Sequence, residues 1–204
     1  IVSTKNGANA GPNVRGFNAP YATALDAAAH RLFVSDTSNN RVLVFNLDAS
    51  DQLVDRVADA VLGQPNFTSR AASRTATGMS APRGLAFDPA SNRLFVAHTG
   101  YHRVMVYDVD VISNGEAAIN VLGQTSFTVG NSGLAQNRLN GARGLALTGS
   151  TLFVGDTANN RVMVFDVAAI TNGENAVHVL GQATFTTTTA APSQTGLRSP
   201  RGVM

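Results

Sequence analysis

Cysteine is absent from the 204 residues, which excludes disulfides, thiolate nucleophiles and zinc-thiolate sites and leaves the redox compartment open. Lysine is almost absent. Lys5 is the single one, so nearly all of the 15 cations are planar guanidinium groups suited to forked hydrogen bonds with carboxylates, phosphates or backbone carbonyls. Acidic groups are few as well, 13 in all, and the net charge is only +2. That balance gives no basic surface for nucleic acid. No run of about 18 apolar residues exists to span a membrane as a helix. The chain opens on Ile1 with neither an initiator methionine nor a signal-like apolar stretch, and the expectation is that an N-terminal segment was removed or never included. The remaining composition, rich in Asn, Thr, Ser and Ala, fits a secreted or periplasmic bacterial protein.

What the chain does have is repetition. Phe33-Val34-Ser35-Asp36-Thr37-Ser38-Asn39-Asn40-Arg41-Val42-Leu43-Val44-Phe45 returns as Phe95 to Tyr107 and again as Phe153 to Phe165. Unit starts fall at Pro20, Pro82, Ala142 and Pro200, a period of about 60 residues. Residues 1–19 align with the tail of a preceding unit, 20–81, 82–141 and 142–199 are three complete units, and 200–204 begin a fourth. A period this long and regular means stacked supersecondary units, none of which buries its apolar face alone.

Each unit carries four strand signals. In the second they are Gly84 to Asp88, Arg93 to Val96, Arg103 to Tyr107 and Ala118 to Gln124, rich in β-branched and aromatic residues. Tight Asp/Asn/Gly/Pro turns separate the first three, so they pair as an antiparallel meander. Small residues on the first strand (Ala22, Ala24, Ala86) suit a crowded axis. The predicted fold is all-β, a β-propeller of four-stranded antiparallel blades with three complete blades in the chain.

The Asp-Thr-x-Asn-Asn-Arg-Val turns at 36–42 and 156–162, with Leu-Phe-Val before them and the Pro-Arg-Gly-Leu-Ala-Phe-Asp start at 82–88, resemble NHL repeats. The long tail with Leu-Gly-Gln and a following Phe (Phe67, Phe127, Phe185) resembles an extended bacterial form. The resemblance implies a six-bladed ring, of which this chain would be half. Two sources for the rest are expected, a homodimer joining 3 + 3 blades head to tail or a longer chain of which this is a fragment. It implies little about activity, because such domains serve as protein-binding, RNA-binding and sensor modules and as metal-dependent enzymes.

Two constellations carry candidate chemistry. Arg83, Arg143 and Arg201, with Tyr21 in the first unit, follow the unit starts and belong to one mouth of the channel, where they would attract a carboxylate, phosphate or sulfated group. The alternative is that each guanidinium bonds carbonyls between blades. Asp36 and Asp156 read as structural, accepting backbone N–H bonds and pairing with Arg41 and Arg161. The middle unit departs from this pattern, with His98 for Asp, Tyr101 for Asn39 and His102 for Asn40. Two imidazoles four positions apart can ligate a divalent metal ion, and Tyr101 can act as acid, base or ligand, with His98 in a catalytic role beside it. No third ligand is identifiable. The expected function is a binding scaffold for an anionic small molecule, glycan or peptide at the channel mouth; the alternative is a metal-dependent hydrolase or lyase.

Overall fold

The computed structural model describes residues 11–191 and 193–203. Residues 1–10 of the tail assigned to 1–19, with Pro192 and Met204, lie outside the described residues. Among the described residues twelve strands form three separate sheets. The first holds β1 (Pro20–Asp26), β2 (Arg31–Asp36), β3 (Arg41–Asn46) and β4 (Ala60–Leu62). The second holds β5 (Pro82–Asp88), β6 (Arg93–His98), β7 (Arg103–Asp108) and β8 (Asn120–Leu122). The third holds β9 (Ala142–Thr148), β10 (Thr151–Asp156), β11 (Arg161–Asp166) and β12 (His178–Leu180). In each sheet the four strands lie in chain order and pair antiparallel. The fourth strand is shorter than the sequence suggests, three residues in every sheet, because the chain turns away at Gly63, Gly123 and Gly181 in the left-handed region.

The alternating side chains of a strand give each sheet two apolar faces. From the middle sheet, Leu94, Val96, Met105, Tyr107 and Val121 pack with Phe33, Val42, Val44 and Leu62 of the first. Its opposite face, with Phe95, Val104, Val106 and Leu122, packs with Leu152, Val154, Met163 and Phe165 of the third. The middle sheet is thus buried on both sides. Each fully buried Val, Leu or Phe contributes about 1.5–3 kcal/mol of hydrophobic stabilisation. The first sheet's outward face (Val34, Leu43, Phe45, Val61) packs with Phe17 and Phe67 of the local chain. On the third sheet's outward face Leu180 is half exposed.

The first strands are innermost, and β5 lies beside both β1 and β9. They approach so closely that a Cβ on Gly84 would sit 2.2 Å from the Arg143 carbonyl oxygen. Residues 200–203 continue the series: Thr157 Oγ1 donates to Pro200 O at 2.7 Å, as Thr37 does to Pro82 O at 2.7 Å and Thr99 to Ala142 O at 2.6 Å. They occupy the place of a next inner strand. Among the described residues no helix is long and apolar enough to cross a membrane.

Candidate functional site

Each inner strand breaks its ladder just after it starts. The register slips between Pro20 and Thr23, between Pro82 and Leu85, and in β9 where Val154 and Asp156 of β10 are opposite Leu145 and Ala142. Such a bulge re-aims the side chains it frees. The freed residues are Tyr21, Arg83 and Arg143, and Arg201 holds the same position after Pro200. The structure brings the four together. The Arg83 guanidinium lies 5.0 Å from the Tyr21 ring centroid, a cation–π contact. Burial lowers the pKa of Arg143, and the positive charges of Arg83 and Arg201 lower it further. Arg83 and Arg143 are half-buried while Arg201 is exposed. Among the described residues none of the three arginines is in an ion pair. The Nε atoms of Arg83 and Arg143 are buried and, among the described residues, have no hydrogen-bond partner. The alternative reading, in which these groups staple blades through carbonyls, therefore does not account for their Nε–H groups.

The turn between second and third strands stands at the same mouth, because Pro20 pairs with Asp36 and Pro82 with His98. In the first sheet Asp36 Oδ2 accepts from Arg41 Nε (2.8 Å) and Asn39 Nδ2 (2.8 Å), and Oδ1 accepts from the Asn18 N–H (2.6 Å). Asp156 repeats this with Arg161 (2.7 Å), Asn159 (2.8 Å) and Asn140 (2.6 Å). All four charged residues are fully buried. A buried pair holds only when its remaining donors are satisfied, and here the arginine spends them on the long tail. Arg41 Nη1 donates to Phe67 O at 2.6 Å and Nη2 to Asn13 O and Gly16 O at 3.0 and 2.8 Å. Arg103 and Arg161 reach Phe127 O and Phe185 O in the same way. This carbonyl clamp is absent from the sequence reading, although a buried-strand arginine recurring in register with a later Phe was its visible signal.

The Gln of each Leu-Gly-Gln belongs to the same frame. Gln64 Nε2 donates to Asn40 O (2.7 Å) and Ala71 O (3.0 Å), Gln124 to His102 O (3.1 Å) and Asn131 O (2.9 Å), and Gln182 to Asn160 O (3.0 Å) and Thr189 O (2.8 Å). Each amide ties the turn to its tail.

The three departures of the middle blade take different places. His98 ends β6 in the interior, fully buried, and among the described residues neither ring nitrogen has a partner. Burial, with the Arg103 charge beside it, holds its pKa well below the usual histidine value. His102 sits in the left-handed conformation that Asn40 and Asn160 adopt. Its Nδ1 accepts the Gly141 N–H at 3.0 Å, where Asn40 Oδ1 accepts from Ala81 (2.8 Å) and Asn160 Oδ1 from Ser199 (2.9 Å). It does the work of the asparagine it replaces, as a neutral ring protonated on Nε2. Tyr101 lies between two cations, Arg74 at 5.0 Å and Arg103 at 5.4 Å from its ring centroid. Among the described residues no group of three or more His, Asp or Glu side chains is placed to hold a metal ion.

The sheets are blades of a β-propeller. No known protein family matches the chain, and no curated protein sequence does. Solved structures match its shape. A chain of a nidogen/laminin complex superimposes with a TM-score of 0.52 at 17% identity, over 80% of this chain and 48% of that one. A chain of the Kuenenia stuttgartiensis hydrazine synthase superimposes with a TM-score of 0.54 at 16% identity, over 96% of this chain and 40% of that one. The chain spans less than half the length of either, and at such identity the likeness is one of fold.

Proposed function

We propose that this propeller is a binding module that takes an anionic ligand, a small molecule, glycan or peptide bearing carboxylate, phosphate or sulfate, at the mouth formed by Arg83, Arg143, Arg201 and Tyr21. The observation that carries the reading is the pair of buried Nε–H groups on Arg83 and Arg143 that, among the described residues, have no hydrogen-bond partner and sit in a cluster of like charges without a carboxylate. Like charges so placed repel, and a multivalent anion offsets that repulsion while filling the empty donor positions. The turn sequences support an extended NHL-type repeat as its origin, and the cysteine-free, lysine-poor composition supports a bacterial protein working outside the cytoplasm.

The enzyme reading, a metal-dependent hydrolase or lyase using His98, His102 and Tyr101, would rest on the unpartnered ring nitrogens of His98, but that side chain is fully buried and offers no face to a substrate. His102 Nδ1 is engaged with Gly141, and Tyr101 is held between two arginines. Titration calorimetry with citrate separates the two. The binding reading predicts saturable affinity that falls with added salt and drops tenfold or more in Arg83→Gln/Arg143→Gln, since a hydrogen bond to a charged group contributes about 1.5–3 kcal/mol. Equal binding by the double variant would reject it.

The end faces support a further partner. The first blade's outward set (Val34, Leu43, Phe45, Val61) matches the set with which the second and third blades receive their predecessors, so a second copy can continue the stack head to tail. Residues 200–203 already hold the inner position, so that copy must displace them or dock outside them. Light scattering at micromolar concentration should give twice the chain mass; a monomer mass would contradict the homodimer.

A further inference from the structure

A second cleft lies away from the arginine mouth, on the rim between the first two blades, with a volume of about 350 Å³. That is within the usual range for small-molecule sites, about 300–1,000 Å³. Its wall includes Gln64, Ser73, Thr75, Thr77 and Asn114, with Pro65 as an apolar surface, and no charged side chain contributes to it.

The next joint of the same protein shows what this cleft lacks. Between the second and third blades Arg138 Nη1 donates to Gln124 Oε1 at 3.0 Å, and Asn137 Nδ2 donates to Gly173 O at 3.2 Å. Those two side chains span the groove and close it. At the matching positions between the first two blades stand Gly78 and Thr77, and among the described residues no side chain donates to Gln64 Oε1 or to Gly115 O. The exchange is compensated locally. Arg138 faces Gly133, whose added Cβ would meet Arg138 Nε at 2.8 Å, whereas Gly78 faces Ser73, and its added Cβ would meet Ser73 Cβ at 2.5 Å. The small residue has changed sides, and the groove is open.

We infer that this cleft is a second binding site, specific for an uncharged polyhydroxylated ligand of monosaccharide size. Gln64 is 1% exposed and fixed by its two Nε2 bonds, so its Oε1 is an oriented acceptor. Ligand hydroxyls donate to Gln64 Oε1 and Gly115 O, as Arg138 and Asn137 do in the closed groove. The linked hydroxyls of Ser73, Thr75 and Thr77 (3.3 and 3.2 Å apart in succession) both donate and accept, as the edge of a sugar ring requires. Asn114, whose Oδ1 is taken by the Val61 N–H, offers amide donors. No carboxylate lines the cleft, so nothing in its wall selects a cation over an uncharged ligand.

The test transplants the closed groove into the open one. Ser73→Gly/Thr77→Asn/Gly78→Arg copies a combination the chain already folds with, and should keep the wild-type melting temperature while filling the cleft. The whole chain is titrated with D-glucose, D-galactose and N-acetylglucosamine, and the Gln64 side-chain amide is followed by two-dimensional NMR. The inference predicts saturable shifts at millimolar sugar for at least one probe, a tenfold or greater loss of affinity in the triple variant, and unchanged binding in Arg83→Gln/Arg143→Gln. Absence of saturation with all three sugars, or equal affinity in the triple variant, overturns it. Should the triple variant fail to fold, Thr75→Val takes its place with the same expected loss.

Discussion

His98 and Arg103 are direct register partners across β6 and β7, and neither has the bond that Asp36 and Arg41, or Asp156 and Arg161, make at the same positions. Both ring nitrogens of His98 and the Nε of Arg103 are buried and, among the described residues, unpartnered. The middle blade keeps the carbonyl clamp of its arginine and has lost the carboxylate.

Restoring that carboxylate should stabilise the protein. In His98→Asp the new group finds Arg103 Nε already in place, and Ser80 occupies the position of Asn18 and Asn140, whose N–H groups bond the other two aspartates. A charge-assisted bond of this kind contributes about 1.5–3 kcal/mol, visible as a higher denaturant midpoint. The mirror substitution Asp156→His should cost about 3–5 kcal/mol by leaving Arg161 buried without its partner. A destabilised His98→Asp with an unperturbed Asp156→His would contradict this account.

The same histidine sets a pH dependence. Its folded pKa is depressed, so the folded state keeps His98 neutral while the unfolded chain takes up a proton below its ordinary value near 6.5. The unfolded state therefore binds more protons as pH falls, and stability drops from about pH 7 downward, by at most about 1.4 kcal/mol per pH unit from this group, until the folded pKa is reached. His98→Asn should flatten the profile between neutrality and mild acid. An identical slope in the two proteins would place the effect elsewhere.

Tyr107 offers a simpler test. Its hydroxyl is buried without a partner among the described residues, and burial raises its pKa, while Phe45 and Phe165 hold the equivalent places without a hydroxyl. Tyr107→Phe should gain about 1 kcal/mol, at the low end of the cost of an unsatisfied buried group. A loss of stability in chemical denaturation would show that the hydroxyl has a partner in solution.

The blade architecture was legible because it is repeated. Alternating apolar residues at a period near 60 give the four strands, and the Asp36–Arg41 and Asp156–Arg161 pairs follow from residue type and spacing. The placement of Arg83 and Arg143 with Tyr21 also followed, because antiparallel pairing fixes which strand ends share a face. The interior position of His98 did not. A histidine beside a turn reads as exposed, and only the register places it under the carbonyl clamp. The plugged and open grooves were hidden too, since Arg138 and Gly78 differ by a substitution in a loop whose partner, Gln124 or Gln64, lies 14 residues earlier in the chain.

The measurement closest to the central claim is an anion titration read at the arginine side chains themselves. With citrate added to the isotopically labelled protein, the Nε–Hε resonances of Arg83 and Arg143 should shift saturably with a single affinity, and added salt should weaken it, as expected when an acceptor occupies their empty donor positions. If those two resonances stay fixed while other arginines move, the mouth is not the binding site.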